Sequence, residues 1–112
     1  MIQSVLYREE GRYTGYSAAG HSGYAEAGSD IVCAGVSALS ITCVNALESL
    51  LGVQVEPRVD EVSGLLSFLL PRVAEEKESG VQLLMGALGV GMQSLSEAYP
   101  DYVTFDIQDR RK

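Results

Sequence analysis

The alternation of apolar and polar residues predicts the elements of the first half of the chain. Tyr, Val, Thr and small residues fill positions 2–7 and 12–19, and Glu, Glu and Gly at 9–11 separate them, which is typical of a β-hairpin. Positions 31–51 are nearly all apolar or small and are followed by Gly52, which predicts a buried helix that stops at a glycine. The first half is therefore expected to be ββα.

The second half repeats this order less clearly. Val53, Val55 and Pro57 alternate with polar residues, which predicts a half-buried strand, and the apolar run 65–70 predicts a strand covered on both faces. A turn is expected at 60–64. Charged residues at 72–79 are followed by apolar positions at helical spacing up to Tyr99, which predicts a second helix. Alternation of Val103, Phe105 and Ile107 with polar residues predicts a final strand. Three glycines interrupt the second helix, and close packing against another helix would explain them: Gly86, Gly89 and Gly91.

These elements predict an α+β fold in the order ββαββαβ, with a largely antiparallel sheet packed with two helices. The 112 residues are enough for one hydrophobic core, so residues 1–112 are interpreted as a single domain. Hydrophobic residues make up 46% of the chain and charged residues 21%, which is ordinary globular usage and argues against disorder.

The excess of acidic residues limits the kinds of partner that the protein is expected to bind. Eight basic against fifteen acidic residues give a formal charge of -7, which disfavours direct binding to nucleic acid or anionic membranes and favours a cationic partner. The first residues lack the features of a signal peptide, and polar residues interrupt the apolar runs before the ~20 residues that a bilayer span needs. Neither export nor a membrane segment is therefore expected. One histidine and no C-x-x-C pair predict neither a metal site nor a cofactor.

The candidate chemistry lies between the first hairpin and the first helix. His21, the only histidine, precedes Cys33 by twelve residues, and Cys33 falls about three positions into the predicted helix, for which Asp30 is a good N-cap. A thiol attacks only as a thiolate, which a helix N-terminus and a neighbouring imidazolium both stabilise. His21 and Cys33 are therefore candidate base and nucleophile, and amides near Cys33 are candidates for holding an oxyanion.

Several nearby residues have open roles. Asp30 could cap the helix or orient His21, and Ser37 lies with Asp30, Cys33 and Ser40 on one polar stripe of the helix. Ser37 could instead bond a carbonyl of its own helix, and any cysteine of an apolar helix could be inert packing, the role expected for Cys43. Helical spacing separates the two thiol-bearing residues by about 15 Å, too far for a disulfide. The loop before the helix, with Gly20, Ser22, Gly23 and Gly28, is predicted to be mobile, but its three glycines could equally be simple turn residues.

The segments AGHSG at 19–23 and GSDIVCAGVS at 28–37 closely resemble the signature of the ribosomal-processing cysteine protease family Prp. The resemblance implies a bacterial cytoplasmic endopeptidase that removes the short N-terminal extension of large-subunit ribosomal protein twenty-seven, after aromatic residues and ahead of a basic mature terminus. It assigns Cys33 as nucleophile and His21 as base, and it leaves the roles of Asp30 and Ser37 unsettled. It also implies a homodimer and a glycine-rich loop that moves when substrate arrives.

Two other functions remain open from the residues alone. A non-catalytic ribosome-assembly factor would bind a basic ribosomal protein through its acidic surface. A thiol redox sensor would need a resolving partner for Cys33, and Cys43 lies too far along the same helix to serve within one chain.

Overall fold

Five strands form one mixed sheet, and two helices pack on one of its faces. The computed structural model describes residues 1–26 and 28–110. The elements are β1 (Ile2–Glu9), β2 (Arg12–Ala19), α1 (Ile31–Leu51), β3 (Arg58–Asp60), β4 (Leu65–Leu69), α2 (Glu75–Ala98) and β5 (Val103–Asp109). The strand order is β3-β4-β2-β1-β5, and all neighbours are antiparallel except β1 and β5. The predicted α+β fold and its ββαββαβ order are confirmed.

The core fills the space between the sheet and the helices. The inward sheet face contributes alternate residues of neighbouring strands, and the pairing register places Leu6 beside Tyr16 and Tyr16 beside Phe68. Both helices turn their buried side chains towards this face: Val32, Val36, Ser40, Cys43 and Leu47 from α1, and Val81, Met85, Leu88, Gly89 and Met92 from α2. The opposite face of the sheet carries no helix among the described residues.

The glycines of α2 serve two different contacts. A Cβ on Gly91 would lie 2.9 Å from Leu39 of α1, so this residue permits the close helix approach that the sequence predicts. A Cβ on Gly89 would instead lie 2.8 Å from Leu6 of the sheet, and the nearest atom to one on Gly86 belongs to Tyr13 at 3.9 Å. The expectation of helix packing is therefore right for one of the three glycines, and the others face the sheet.

Helix α1 begins and ends where its capping residues predict. Asp30 has an extended conformation and accepts hydrogen bonds from the main-chain N–H groups of Val32 and Cys33, which would otherwise lack partners. Gly52 adopts the left-handed conformation (φ 67°) and donates its N–H to carbonyls of the last turn. Because Asp30 is the N-cap, Cys33 is the third residue of α1.

The second hairpin differs from the prediction. Val53 and Val55 are buried as expected, but residues 52–57 are not a strand, and β3 covers only Arg58–Asp60, whose side chains are all exposed. Alternation of apolar and polar residues indicates which side chains face the core, and it can occur in a segment that pairs with no strand. Leu69 of β4 is 66% exposed, so the expectation of cover on both faces is wrong, because it points to the sheet face without helices.

By length and composition, α1 could cross a bilayer. This property was not predicted from the sequence, because scattered Ser, Thr and Asn residues were interpreted as interruptions of the apolar run. In the fold, one side of α1 packs against α2 and the sheet, and the core helices of globular domains meet the same two criteria.

Candidate active site

His21 and Cys33 line the same two clefts. His21 follows the end of β2 and is exposed, whereas Cys33 is half-buried in the first turn of α1. The first cleft lies between α1 and the β3–β4 hairpin and has a volume of about 490 Å³. The second, of about 520 Å³, is bounded by Gly23, Ala25, Gly28 and the start of α1. The fold thus brings the two predicted residues to one place.

The thiol of Cys33 is hydrogen bonded to Ser22. Its Sγ donates to the Ser22 hydroxyl at 3.6 Å, that hydroxyl donates to Asp30, and the N–H of Tyr24 donates back to it at 3.1 Å. Ser22 is only 5% exposed. Among the described residues, Cys33 and His21 share no hydrogen bond, so the thiol must turn away from Ser22 before the imidazole can take its proton.

Asp30 is a cap and an acceptor for the loop, and among the described residues it shares no hydrogen bond with His21. Its Oδ1 accepts from the Val32 and Cys33 amides at 3.0 and 2.9 Å, and its Oδ2 accepts from Ser22 and from the Ala25 amide. The Ser22 hydroxyl first, and then hydrogen bonds from the Cys33 and Ala25 amides, lower the pKa of Asp30 to about 2, against a raising by desolvation. Of the two roles left open by the sequence, the structure supports capping.

The first amides of α1 already have acceptors. The Cys33 N–H is bonded to the Asp30 carboxylate, and the Ala34 N–H donates to the Asp30 carbonyl at 3.0 Å. The expectation that amides near Cys33 hold an oxyanion is therefore not met by these two groups as they stand.

The imidazole of His21 contacts the turn between β3 and β4. Its Nε2 lies 3.0 Å from the carbonyl oxygen of Val62. The sequence indicates a turn at this position, but only the pairing of β4 with β2 places that turn beside the end of β2 and hence beside His21. No local signal could have identified this contact.

The loop before α1 is held at more points than its composition suggests. Gly20, Gly23 and Gly28 all have positive φ, and a Cβ on Gly20 would lie 2.3 Å from the Met1 carbonyl oxygen. Tyr24 packs edge-to-face against the rings of Tyr99 and Tyr102, with centroids 5.7 and 5.2 Å apart. Movement of the loop formed by Gly20, Ser22, Gly23 and Gly28 stays a prediction.

The polar stripe of α1 divides into an exposed and a buried part. Ser37 is exposed, lines both clefts and makes no hydrogen bond through its hydroxyl within the described residues. Ser40 is buried, donates to the Val36 carbonyl at 2.7 Å and accepts from the Tyr16 hydroxyl at 2.8 Å. Burial raises the pKa of Tyr16 to about 12, against a smaller lowering by the Ser40 hydrogen bond. Of these two serines, Ser37 is the exposed one, although both border the cleft between α1 and the β3–β4 hairpin.

The second thiol lies in the core. Cys43 is buried, and its Sγ contacts the Leu84 carbonyl and the Met85 sulfur at 3.9 Å. Burial raises the pKa of Cys43 to about 11. Across residues 1–26 and 28–110, no group of three or more His, Cys, Asp or Glu side chains could hold a metal ion.

Comparison with known proteins gives the family. The sequence model described as cysteine protease Prp matches residues 1–104. The chain belongs to the cysteine protease Prp family. Ribosomal processing cysteine protease Prp of Bacillus subtilis is 31% identical over 103 residues, covering 90% of this chain and 92% of that protein. As a member of this family, the protein is a cysteine protease.

Solved structures support the Prp fold. A crystal structure of a Streptococcus mutans protein is 38% identical with a TM-score of 0.86, covering 98% of this chain and 96% of its own. The ribosomal processing protease Prp of Staphylococcus aureus, in complex with a covalently linked product peptide, is 27% identical with a TM-score of 0.84, covering 96% of this chain and all of its own. The same S. aureus protease has also been solved with a substrate peptide, at a TM-score of 0.79.

Proposed function

We propose that the chain cleaves a peptide bond with Cys33 as nucleophile and His21 as general base. The observation that carries this proposal is that the only imidazole and a half-buried thiol at a helix N-terminus line the same cleft. The alternative thiol is buried with a raised pKa, which disfavours a nucleophilic role. A covalently linked product peptide in the S. aureus relative agrees with a covalent mechanism.

The reaction then proceeds in two halves. His21 takes the proton of Cys33, and the thiolate attacks the scissile carbonyl to form a tetrahedral intermediate. Collapse breaks the C–N bond, with His21 returning the proton to the leaving amine and the acyl group remaining on Cys33. Water, deprotonated by His21, hydrolyses this thioester and restores the thiol. The Cys33–Ser22 contact must open first, which gives the predicted loop movement a chemical role.

The proposed substrate is the N-terminal extension of large-subunit ribosomal protein twenty-seven, cut after aromatic residues in the bacterial cytoplasm. The relatives in B. subtilis and S. aureus are named ribosomal processing proteases. The cleft between α1 and the β3–β4 hairpin has apolar walls that include Val36, Ile41, Val44 and Leu66, which suit aromatic side chains. The charge of -7 favours a substrate whose mature end is basic. Two free thiols agree with a reducing compartment.

A peptide spanning the extension junction tests the assignment. We expect one cut by mass spectrometry, its loss in Cys33→Ala and in His21→Ala, and its retention in the matched variant Cys43→Ala. Cleavage by purified Cys33→Ala would contradict the proposal. Salt-sensitive binding of the ribosomal protein that survives loss of both Cys33 and His21, with no cut by the wild type, would instead support a non-catalytic assembly factor.

We further propose that the protein acts as a homodimer, as the family resemblance implies. The outward side of α2 supports this, because Leu83 and Val90 are 74% and 70% exposed and lie on the same side of the helix as Ala87. Sedimentation equilibrium should give a dimer for the wild type and a monomer for Leu83→Glu. The matched substitution Leu69→Glu, on the open sheet face, should leave the dimer intact. A wild-type monomer at all concentrations would refute the proposal.

A further inference from the structure

The contact between His21 and the β3–β4 turn determines which ring nitrogen is basic. Nε2 lies 3.0 Å from the Val62 carbonyl oxygen. A carbonyl oxygen can only accept, so Nε2 must carry a proton and donate it. A neutral imidazole has a single N–H, which leaves Nδ1 as the nitrogen free to accept a proton.

The turn that carries this carbonyl is tightly built. Asp60 Oδ1 accepts from the N–H groups of Val62 and Ser63, at 3.0 and 3.4 Å. Gly64 has a φ of 68°, and a Cβ there would lie 2.3 Å from the Gly20 carbonyl oxygen and 3.2 Å from the His21 ring. These contacts fix the shape of the turn and its distance from the imidazole.

The turn is also joined directly to the residue before His21. The N–H of Gly20 donates to the Ser63 carbonyl at 2.9 Å. The imidazole and the carbonyl that holds it are therefore connected through two adjacent main-chain segments, independently of Asp30 and of the loop at 23–28.

We infer that the β3–β4 turn is the third part of the catalytic site, with the Val62 carbonyl orienting the imidazole of His21 and Asp60 acting as a positioning residue. This inference rests on the proposed role of His21 as base. A side-chain carbonyl orients histidine in Cys-His-Asn proteases, and here a main-chain carbonyl would take that place. The carbonyl can accept from the neutral ring and from the imidazolium alike, so the contact can persist through the proton transfer.

Asp60 offers a matched pair of variants. Asp60→Ala removes the acceptor that shapes the turn, whereas Asp60→Asn keeps a side-chain oxygen and removes only the charge. We expect Asp60→Ala to lower kcat about tenfold or more with KM within about twofold, and Asp60→Asn to restore kcat to within about threefold of the wild type. The rate of Cys33 alkylation by iodoacetamide, which is small, neutral and independent of the contacts that bind the peptide substrate, should fall in Asp60→Ala alone. Equal losses in both variants would overturn the inference, because they would indicate a charge effect.

The single histidine makes a direct readout possible. Long-range ¹H–¹⁵N correlation of the neutral wild-type ring, recorded in alkaline solution, should show Nε2 protonated and Nδ1 unprotonated, and Asp60→Ala should average the two signals. A wild-type ring protonated on Nδ1, or averaged between tautomers, overturns the inference even if Asp60→Ala does not fold. Failure of the proposed function is distinguishable, because it would appear as cleavage by His21→Ala whatever the ring spectrum shows.

Discussion

At the scale of single residues, the environments of the two thiols predict very different reactivity. Cys33 is half-exposed at the start of α1, whereas Cys43 is buried in the core with its pKa raised to about 11. Limiting iodoacetamide at neutral pH should therefore modify only Cys33 in the native protein and both cysteines in urea. Peptide mapping by mass spectrometry measures this directly. Equal labelling of the two in the native state would contradict the described packing of α1.

The same residue scale shows what a sequence can and cannot reveal about a site. The position of His21 and Cys33 in the same clefts was predictable, because both fall at the junction between a hairpin and a helix that the pattern identifies. The partners of these groups were not, because Ser22 reads as one more polar loop residue and Val62 takes part only through its main-chain carbonyl. The Val62 contact depends on strand pairing across the sheet, so the type of residue at this position cannot indicate it.

At the scale of the elements, the N-cap of α1 predicts a particular pH dependence of stability. The folded pKa of Asp30 is about 2, against an ordinary value of 3.8. A depressed acidic pKa adds stability that is fully present above about pH 4 and is lost as the pH falls through about 2. We expect urea titrations to show a destabilised Asp30→Ala at pH 7, because main-chain amides and Ser22 lose their acceptor.

Two further variants test this explanation of the cap. Asp30→Asn also caps well but carries no charge, so any advantage of the wild type over it should shrink towards pH 2. Ser22→Ala removes the largest cause of the lowered pKa and should move the pH window upwards. A difference between wild type and Asp30→Asn that stays constant from pH 7 to pH 2 would be inconsistent with the described hydrogen bonds.

Two glycines with the same backbone conformation allow steric and conformational costs to be separated. Gly52 ends α1 with φ 67°, and a Cβ there would meet only the flexible end of Lys77 at 3.4 Å, whereas Gly64 has φ 68° and no room beside the Gly20 carbonyl. We expect Gly52→Ala to lower the free energy of unfolding by about 1 kcal/mol, and Gly64→Ala by about 3 kcal/mol or more. Urea denaturation measures both. Similar losses would mean that the β3–β4 turn can move away from Gly20.

Among the elements, the capped helix α1 was the most predictable and the short strand β3 the least. The bounds of α1 follow from Asp30 and Gly52, because both satisfy main-chain groups that any helix leaves free. Strand β3 has only three residues and no buried side chain, so nothing in its own pattern could place it. Burial of Val53 and Val55 indicated the core correctly but could not reveal that this segment pairs with no strand.

At the scale of the whole molecule, the charge of -7 predicts how cleavage depends on salt. An acidic enzyme attracts a cationic substrate over distances that salt shortens, from a Debye length of about 30 Å at 0.01 M to about 3 Å at 1 M. We expect kcat/KM for the junction peptide to fall roughly three- to tenfold between 0.02 and 0.5 M NaCl, mostly through KM.

The control peptide replaces the basic residues after the scissile bond with glutamine, and its cleavage should depend far less on salt. Alkylation of Cys33 by neutral iodoacetamide should not change over the same range, because no long-range attraction brings that reagent to the site. An equal salt response for both peptides would show that the net charge does not select the substrate. Recognition would then depend on the apolar walls of the cleft between α1 and the β3–β4 hairpin, whose contacts salt does not weaken.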